Sequence, residues 1–151
     1  MYCCLLRRRP LAFNKWKPAG NIGLKYKADI RAAFIQRYQS LQPLVGNLYG
    51  VVYCFYRAYN AFTDADADNI SKPIWDCLGE AFLYQDDKQV RFRVAGCYDL
   101  AKNQLADLDV TGLPDDIRDD LLEALFTGET PYILYIECGA FRNNMIRFNL
   151  E

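Results

Sequence analysis

Three charged side chains recur at intervals of four residues in the segment 63–79, which reads TDADADNISKPIWDCLG. Asp68, Lys72 and Asp76 would share one face of a helix, because side chains at i and i+4 are neighbours there. Two carboxylates roughly 4 Å apart repel by about 4 kcal/mol at an effective dielectric of about 20. Mg²⁺ or Mn²⁺ would relieve that repulsion, and in phosphodiester hydrolysis such ions activate water. The spacing therefore indicates either a metal-dependent hydrolytic centre or a solvated helix face with ordinary ion pairs.

Further acidic residues flank this face. Asp66 lies two residues before Asp68, and Asp86 and Asp87 occupy a turn ahead of the next strand. The run DADAD also resembles the start of a calcium loop. That interpretation fails, because the sixth position holds Asn69 instead of Gly and the twelfth holds Trp75 instead of Glu.

The composition excludes several kinds of site. The chain has no histidine, so a Ser-His-Asp triad and a Cys-His pair are impossible, and the six cysteines form no C-x-x-C zinc motif. We expect the cysteines to be buried thiols in a reducing compartment. No apolar stretch approaches the roughly 20 residues of a membrane span, and the first residues do not have the charge order of a secretory signal. We therefore expect a soluble cytoplasmic protein.

The near-zero net charge of −1 conceals a polarised chain. Residues 1–60 hold ten Lys or Arg and one acid, whereas residues 99–130 hold two basic and nine acidic residues. A basic part that grips phosphates beside an acidic part that holds cations is typical of a metal-dependent nuclease, although surface charge could also be uneven by chance. The candidate DNA contacts are Arg7, Arg8, Arg9, Lys15, Trp16, Lys17, Arg91 and Arg93. A solvated basic tail and a core-packed Trp16 are the alternatives.

The hydrophobic patterns predict an α+β fold with a single mixed β-sheet of three to five strands and about three helices. Residues 1–20 form a basic arm or edge strand, Gly20 and Gly23 oppose regular structure just after it, and residues 99–130 form an acidic helical addition to one domain, 1–151. The helix after Asn60–Ala67 would be capped by Asp68 or Asn69, with Pro73 in or near its first turn. The expected helices are 28–42, 69–79 and 113–126, and the expected strands are 48–59, 90–94, 131–138 and 145–150.

The run from Asp66 to Leu78, followed by Asp86-Asp87-Lys88-Gln89-Val90, resembles the RusA family of Holliday junction resolvases. That family's signature is D-x-D-N-x-x-K-x-x-x-D-x-L and then D-D-x-Q-V, and every signature position is present. The resemblance covers roughly residues 45–95. Thr63, Asp64 and Ala65 depart from the family, in which basic residues commonly precede the first acid.

The resemblance implies a homodimeric, Mg²⁺-dependent endonuclease, with Mn²⁺ as a possible substitute, that nicks four-way DNA junctions symmetrically. Asp66, Asp68 and Asp87 would be the essential acids that hold the metal, and Lys72 the essential lysine. Asp76 and Asp86 would support them. Two alternatives remain open: a structure-tolerant DNA nuclease, and a DNA-binding protein without catalytic activity.

Overall fold

The computed structural model describes residues 1–57, 66–101 and 108–145. In chain order, its regular elements are β1 (Tyr2–Leu6), α1 (Asn21–Arg37), β2 (Leu48–Tyr56), α2 (Ala67–Leu78), β3 (Val90–Asp99), α3 (Asp115–Thr127) and β4 (Tyr132–Ala140). Short 3-10 turns span Phe13–Lys15, Asp87–Gln89 and Asn143–Met145. The predicted strand at 145–150 falls almost wholly outside the described residues, as does most of the predicted loop before α2.

The four strands form one mixed sheet in the order β1-β4-β2-β3. β2 and β3 are parallel, and β4 runs antiparallel to both β1 and β2. Parallel neighbours need a crossover connection, and here α2 lies within it. The mixed sheet with three helices confirms the predicted α+β class, and within the predicted basic arm the uncharged residues Tyr2–Leu6 form an edge strand of this sheet.

Helices cover both faces of the sheet. Alternate residues of one strand point to opposite faces. In β4, Leu134 and Ile136 pack in one core with α1 and α2, whereas Ile133 and Tyr135 pack with α3. The acidic segment therefore contributes a helix to the core instead of only adding surface charge. No helix within the described ranges is long and apolar enough to cross a lipid bilayer.

The first helix begins and ends earlier than the sequence predicts, at Asn21 and Arg37 instead of about 28 and 42. Gly23 lies in its first turn, where an added Cβ would come within 2.1 Å of the Lys17 carbonyl oxygen. This close approach requires glycine, so the residue that weakens helix propensity is needed for packing here. The helix stops at Tyr38 because that residue is extended and its hydroxyl accepts a hydrogen bond from the Cys3 backbone N–H, 2.9 Å away.

The last helix agrees closely with its prediction. It spans Asp115–Thr127, Pro114 occupies the position before it, and Gly128 ends it with φ of 73°. Glycine adopts this left-handed conformation without the steric cost that a side chain adds.

Candidate active site

The acidic signature begins at the N-terminal end of α2, where Asp66 caps the helix. The Asp66 Oδ1 atom accepts a hydrogen bond from the Asn69 backbone N–H at 2.8 Å. This corrects the predicted cap, Asp68 or Asn69: both lie inside the helix. Pro73 is consequently the seventh helical residue instead of a first-turn residue, and it lacks the N–H that would pair with the Asn69 carbonyl.

Asp68 and Lys72 follow on the exposed face of α2. Both side chains are exposed, and within the described residues neither has a hydrogen bond or an ion pair to its charged group. The Lys72 Nζ atom instead lies 4.5 Å from the centroid of the Phe13 ring. Two opposite charges one helical turn apart are thus left open to an external ligand.

Asp76, at the other end of the same face, is held by the chain itself. The Trp16 indole N–H donates a hydrogen bond to its Oδ2 atom at 2.9 Å. Burial raises the pKa of Asp76 and the nearby Asp87 carboxylate raises it further, while the Trp16 hydrogen bond and Arg93 oppose the rise. Asp76 and Asp87 also line one small cleft with Trp75.

The two acids of the Asp86-Asp87 turn have different hydrogen-bond partners. Asp86 accepts a hydrogen bond from the Lys88 backbone N–H at 2.9 Å, which lowers the pKa of its carboxyl group, and the Gln89 side chain accepts one from the Asp86 N–H. Asp86 is therefore a turn-capping residue. The Arg93 guanidinium donates hydrogen bonds to Asp87, 2.7 Å from its carbonyl oxygen and 3.2 Å from Oδ2.

The three carboxylates predicted to hold an ion are not gathered within this one chain. Burial, and then the nearby Asp66 carboxylate, raise the pKa of Cys97 to about 11, which places Asp66 towards the C-terminal end of β3. Asp87 instead precedes the start of β3, beside Asp76. From Asp68 to Asp76 the helix axis extends about 12 Å. Across the described ranges, no group of three or more Cys, Asp or Glu could hold a metal ion. The oxygen donors suit Mg²⁺ or Mn²⁺, but their arrangement in one chain does not form the predicted ligand set.

Two arginines of the predicted DNA-binding arm form ion pairs with other residues of the same chain. Arg7 forms ion pairs with Asp120 and Glu123 of α3, and Arg8 pairs with Asp29 of α1. Arg8 and Arg9 also lie over the rings of Tyr26 and Tyr132 respectively. Because β1 lies in the sheet beside α1 and α3, the arginines that directly follow it are close to acids of those two helices.

The other predicted DNA contacts differ in exposure. Lys15, Lys17 and Arg91 are exposed. Trp16 is only 9% exposed and its ring packs edge-on against Tyr26, so in this structure it is not available to stack on a base. Arg93 is turned towards Asp87 and lies over the Trp75 ring.

Phe13, whose ring contacts the signature lysine Lys72, is not among the site residues predicted from the sequence. Phe13 lies in the 3-10 turn two residues before Lys15, upstream of the segment that resembles the family. Its spacing of three from Trp16 was the available signal, since residues three apart lie on the same side of a 3-10 turn.

The helix α2, which crosses between the parallel strands β2 and β3, carries the residues that resemble the RusA signature. The family model described as endodeoxyribonuclease RusA matches residues 15–105, more than half of the chain. The chain therefore belongs to the RusA family, whose members act as endonucleases on Holliday junctions, and the resemblance in the sequence is confirmed. No curated protein matches the chain. α3 and β4 lie beyond the matched residues.

Proposed function

We propose that this protein is a Mg²⁺-dependent endonuclease that resolves Holliday junctions by paired, symmetric nicks and acts as a homodimer. The observation that carries the proposal is the pair Asp68 and Lys72 on α2, exposed and without internal ion pairs in the described residues. Exposed charges that form no ion pair do not add to the free energy of unfolding of the chain alone. Within a RusA signature, this arrangement is suited to receive a cation and a phosphate.

The start of α2 provides the chemistry that this reaction needs. Asp66 and Asp68 offer carboxylate oxygens for the ion, and Lys72 can neutralise negative charge that develops on the phosphate. The free N–H groups at a helix N-terminus also favour a phosphate there. When bound, the ion would supply a more acidic water and stabilise the leaving oxygen.

The separation of Asp87 from Asp66 and Asp68 supports a site shared by two chains. A four-way junction has near two-fold symmetry, and a two-fold dimer places the same surfaces opposite each other in reverse. We therefore propose that the partner subunit's Asp87 completes the ligand set begun by Asp66 and Asp68. One chain alone would then bind the ion weakly, and dimerisation and metal binding would promote each other.

Mixed dimers of two inactive variants test the shared site. Asp68→Asn and Asp87→Asn chains are co-expressed with different tags, and the doubly tagged dimer is purified. If each site is shared between the subunits, one of the two sites of the mixed dimer combines an intact Asp68 with an intact Asp87. The mixed dimer then nicks a cruciform plasmid, whereas each variant alone does not. Because only one site is live, nicked circles accumulate in place of the linear product of paired cuts.

The matched control combines Asp66→Asn with Asp68→Asn. Both positions lie in the same chain's half of the site, so these variants should not restore each other. A mixed dimer of Asp68→Asn and Asp87→Asn with no nicking above its parents would refute the shared site. A monomer in sedimentation at assay concentrations would refute the dimer itself.

The substrate and the ion are tested with the unmodified chain. Cleavage of a synthetic four-way junction should require Mg²⁺, stop with chelator and resume when Mg²⁺ is restored in excess. Linear duplex at equal nucleotide concentration and fixed salt should compete poorly. Equal competition by linear duplex would favour a structure-tolerant nuclease, and binding without cleavage in any divalent ion would favour a non-catalytic DNA-binding protein.

A further inference from the structure

The 3-10 turn Phe13–Lys15 lies against the face of α2 that carries Asp68, Lys72 and Asp76. Two backbone hydrogen bonds close it, from the Lys15 N–H to the Ala12 carbonyl and from the Trp16 N–H to the Phe13 carbonyl, each 2.9 Å long. From this turn, Phe13 meets Lys72 and Trp16 meets Asp76. One short segment thus contacts two signature side chains that are one helical turn apart.

Trp16 fixes the position of this turn. Its indole is 9% exposed, donates to Asp76 and packs against the Tyr26 ring, whose centroid is 6.1 Å away. An aromatic side chain held by packing on one side and a hydrogen bond on the other has little freedom to move. Phe13 is therefore presented to Lys72 by an anchored backbone, although its own ring is 43% exposed.

The Phe13 ring restrains Lys72 without neutralising it. A lysine ammonium sits on a flexible four-carbon stem, and it is attracted to the negative face of an aromatic ring within about 6 Å of the centroid. The distance here is 4.5 Å. An aspartate or glutamate at that position would also hold the ammonium but would cancel its charge. An aromatic ring limits the directions available to Lys72 and leaves its charge available for a phosphate.

We propose that Phe13 is a positioning residue for the cleavage reaction, which restrains the Lys72 ammonium beside its own ring so that the charge is ready for the phosphate. This inference rests on the role of Lys72 given under the proposed function. Phe13 lies outside the residues matched by the family model, 15–105, so the family assignment does not supply it. It acts through Lys72 and need not touch the reacting atoms.

Phe13→Leu keeps an apolar side chain and removes the ring. We expect the single-turnover cleavage rate of a bound four-way junction to fall about two- to fivefold, the range for loss of an exposed cation–π contact. Junction affinity should stay unchanged, because Lys72 retains its charge. Phe13→Tyr should restore the rate. The matched control is Phe126→Leu, since Phe126 is 84% exposed on α3, which packs on the opposite face of the sheet from α2.

Fluorinated phenylalanines separate the charge contact from shape. Each added fluorine on the Phe13 ring weakens its negative face while the ring keeps nearly the same size, so the rate should fall stepwise with fluorine number. A cleavage rate that does not change with fluorination and falls only in Phe13→Leu would overturn the proposal and indicate that the ring acts by packing alone. A parallel loss of junction affinity would overturn it in favour of a base that stacks on Phe13.

A nuclear magnetic resonance readout tests the contact without any cleavage. In the full chain free of DNA, the ring current of Phe13 should shift the Lys72 Hε resonances upfield, and Phe13→Leu should remove that shift. The absence of the shift in the unmodified chain would overturn the contact itself. Full cleavage by Lys72→Met with the shift present in the unmodified chain would instead overturn the proposed role of Lys72, so the two failures are distinguishable.

Discussion

The two ends of α2 treat their charges in opposite ways. At the N-terminal end, Asp68 and Lys72 are exposed and have no ion pair within the described chain. At the C-terminal end, the Arg31 guanidinium donates to the carbonyl oxygens of Cys77 and Gly79, at 2.8 and 2.9 Å, and also pairs with Glu80. The last carbonyls of a helix lack intrahelical partners, and here an arginine of α1 provides them.

If the proposed function is correct, this difference separates stability from activity along a single helix. Hydrogen bonds and ion pairs at the C-terminal end connect α2 to α1, and they stabilise the helix in addition to the Asp66 cap at its other end. The N-terminal end can therefore keep charges that contribute little to folding and remain available to a ligand. Substitutions at the N-terminal end should lower activity and leave the free energy of unfolding nearly unchanged, whereas substitutions at the C-terminal end should do the reverse.

The largest expected effect is on activity, at the N-terminal end. Asp68→Asn should lower the single-turnover rate of junction cleavage by at least about 10²-fold, the lower bound for losing a catalytic carboxylate. Its free energy of unfolding in urea should change by less than about 0.5 kcal/mol, because the side chain is exposed. Asp119→Asn on α3 is the control with neither effect. A stable Asp68→Asn chain that still cleaves at the normal rate would contradict the functional assignment of this end.

The next effect is on stability, at the C-terminal end. Arg31→Met keeps an apolar stem but removes the donors to two helix-end carbonyls, so the free energy of unfolding should fall by about 2 kcal/mol. Chemical denaturation by circular dichroism measures it, and Arg118→Met, which loses only exposed pairs on α3, should stay within about 0.5 kcal/mol. Junction cleavage well below the melting temperature should be retained. A loss of cleavage without destabilisation would mean that the two ends are not separate in function.

Local spacing explains which features of this helix the sequence could predict. The four-residue intervals from Asp68 to Asp76 correctly indicated a helix face, because that relation depends only on helical geometry. The cap was less certain, since Asp66, Asp68 and Asn69 are all residue types that cap helices. The predicted start of α1 was wrong because Gly23 has a low helix propensity. In the structure Gly23 is needed for a different reason, its close approach to the Lys17 carbonyl oxygen.

Contacts distant in sequence account for what could not be predicted. Arg7 and Asp120 are 113 positions apart, so nothing near either residue indicates their ion pair. Likewise, the spacing between α2 and the Asp86-Asp87 turn does not show which end of α2 the turn approaches. It approaches the C-terminal end, where Asp87 and Asp76 line the same cleft. The sequence thus predicted that α2 carries Asp68 and Asp76 on one helix face, but not the separation of Asp87 from Asp66 and Asp68.

The smallest expected effect depends on pH and concerns Glu80 at the C-terminal end. The hydrogen bond from Lys27 chiefly lowers the pKa of Glu80, and Arg31 adds to this. A carboxyl group whose pKa is lower in the folded state contributes stability above its ordinary value of 4.5, and this contribution is lost as the pH falls through the lowered value. Glu80→Gln should therefore cost a few tenths of a kcal/mol at about pH 7, as exposed pairs do, and nothing at about pH 2.

Urea unfolding of Glu80→Gln, Lys27→Met and the double variant at both pH values isolates the pair. Glutamine keeps nearly the same shape and the same left-handed backbone strain at φ of 58°, so the comparison removes only the charge. A coupling energy between the two positions that persists at low pH would show that the contact stabilises α2 by packing. Packing would then stabilise the C-terminal end as much as charge does, and the two ends would differ in burial instead of in charge pairing.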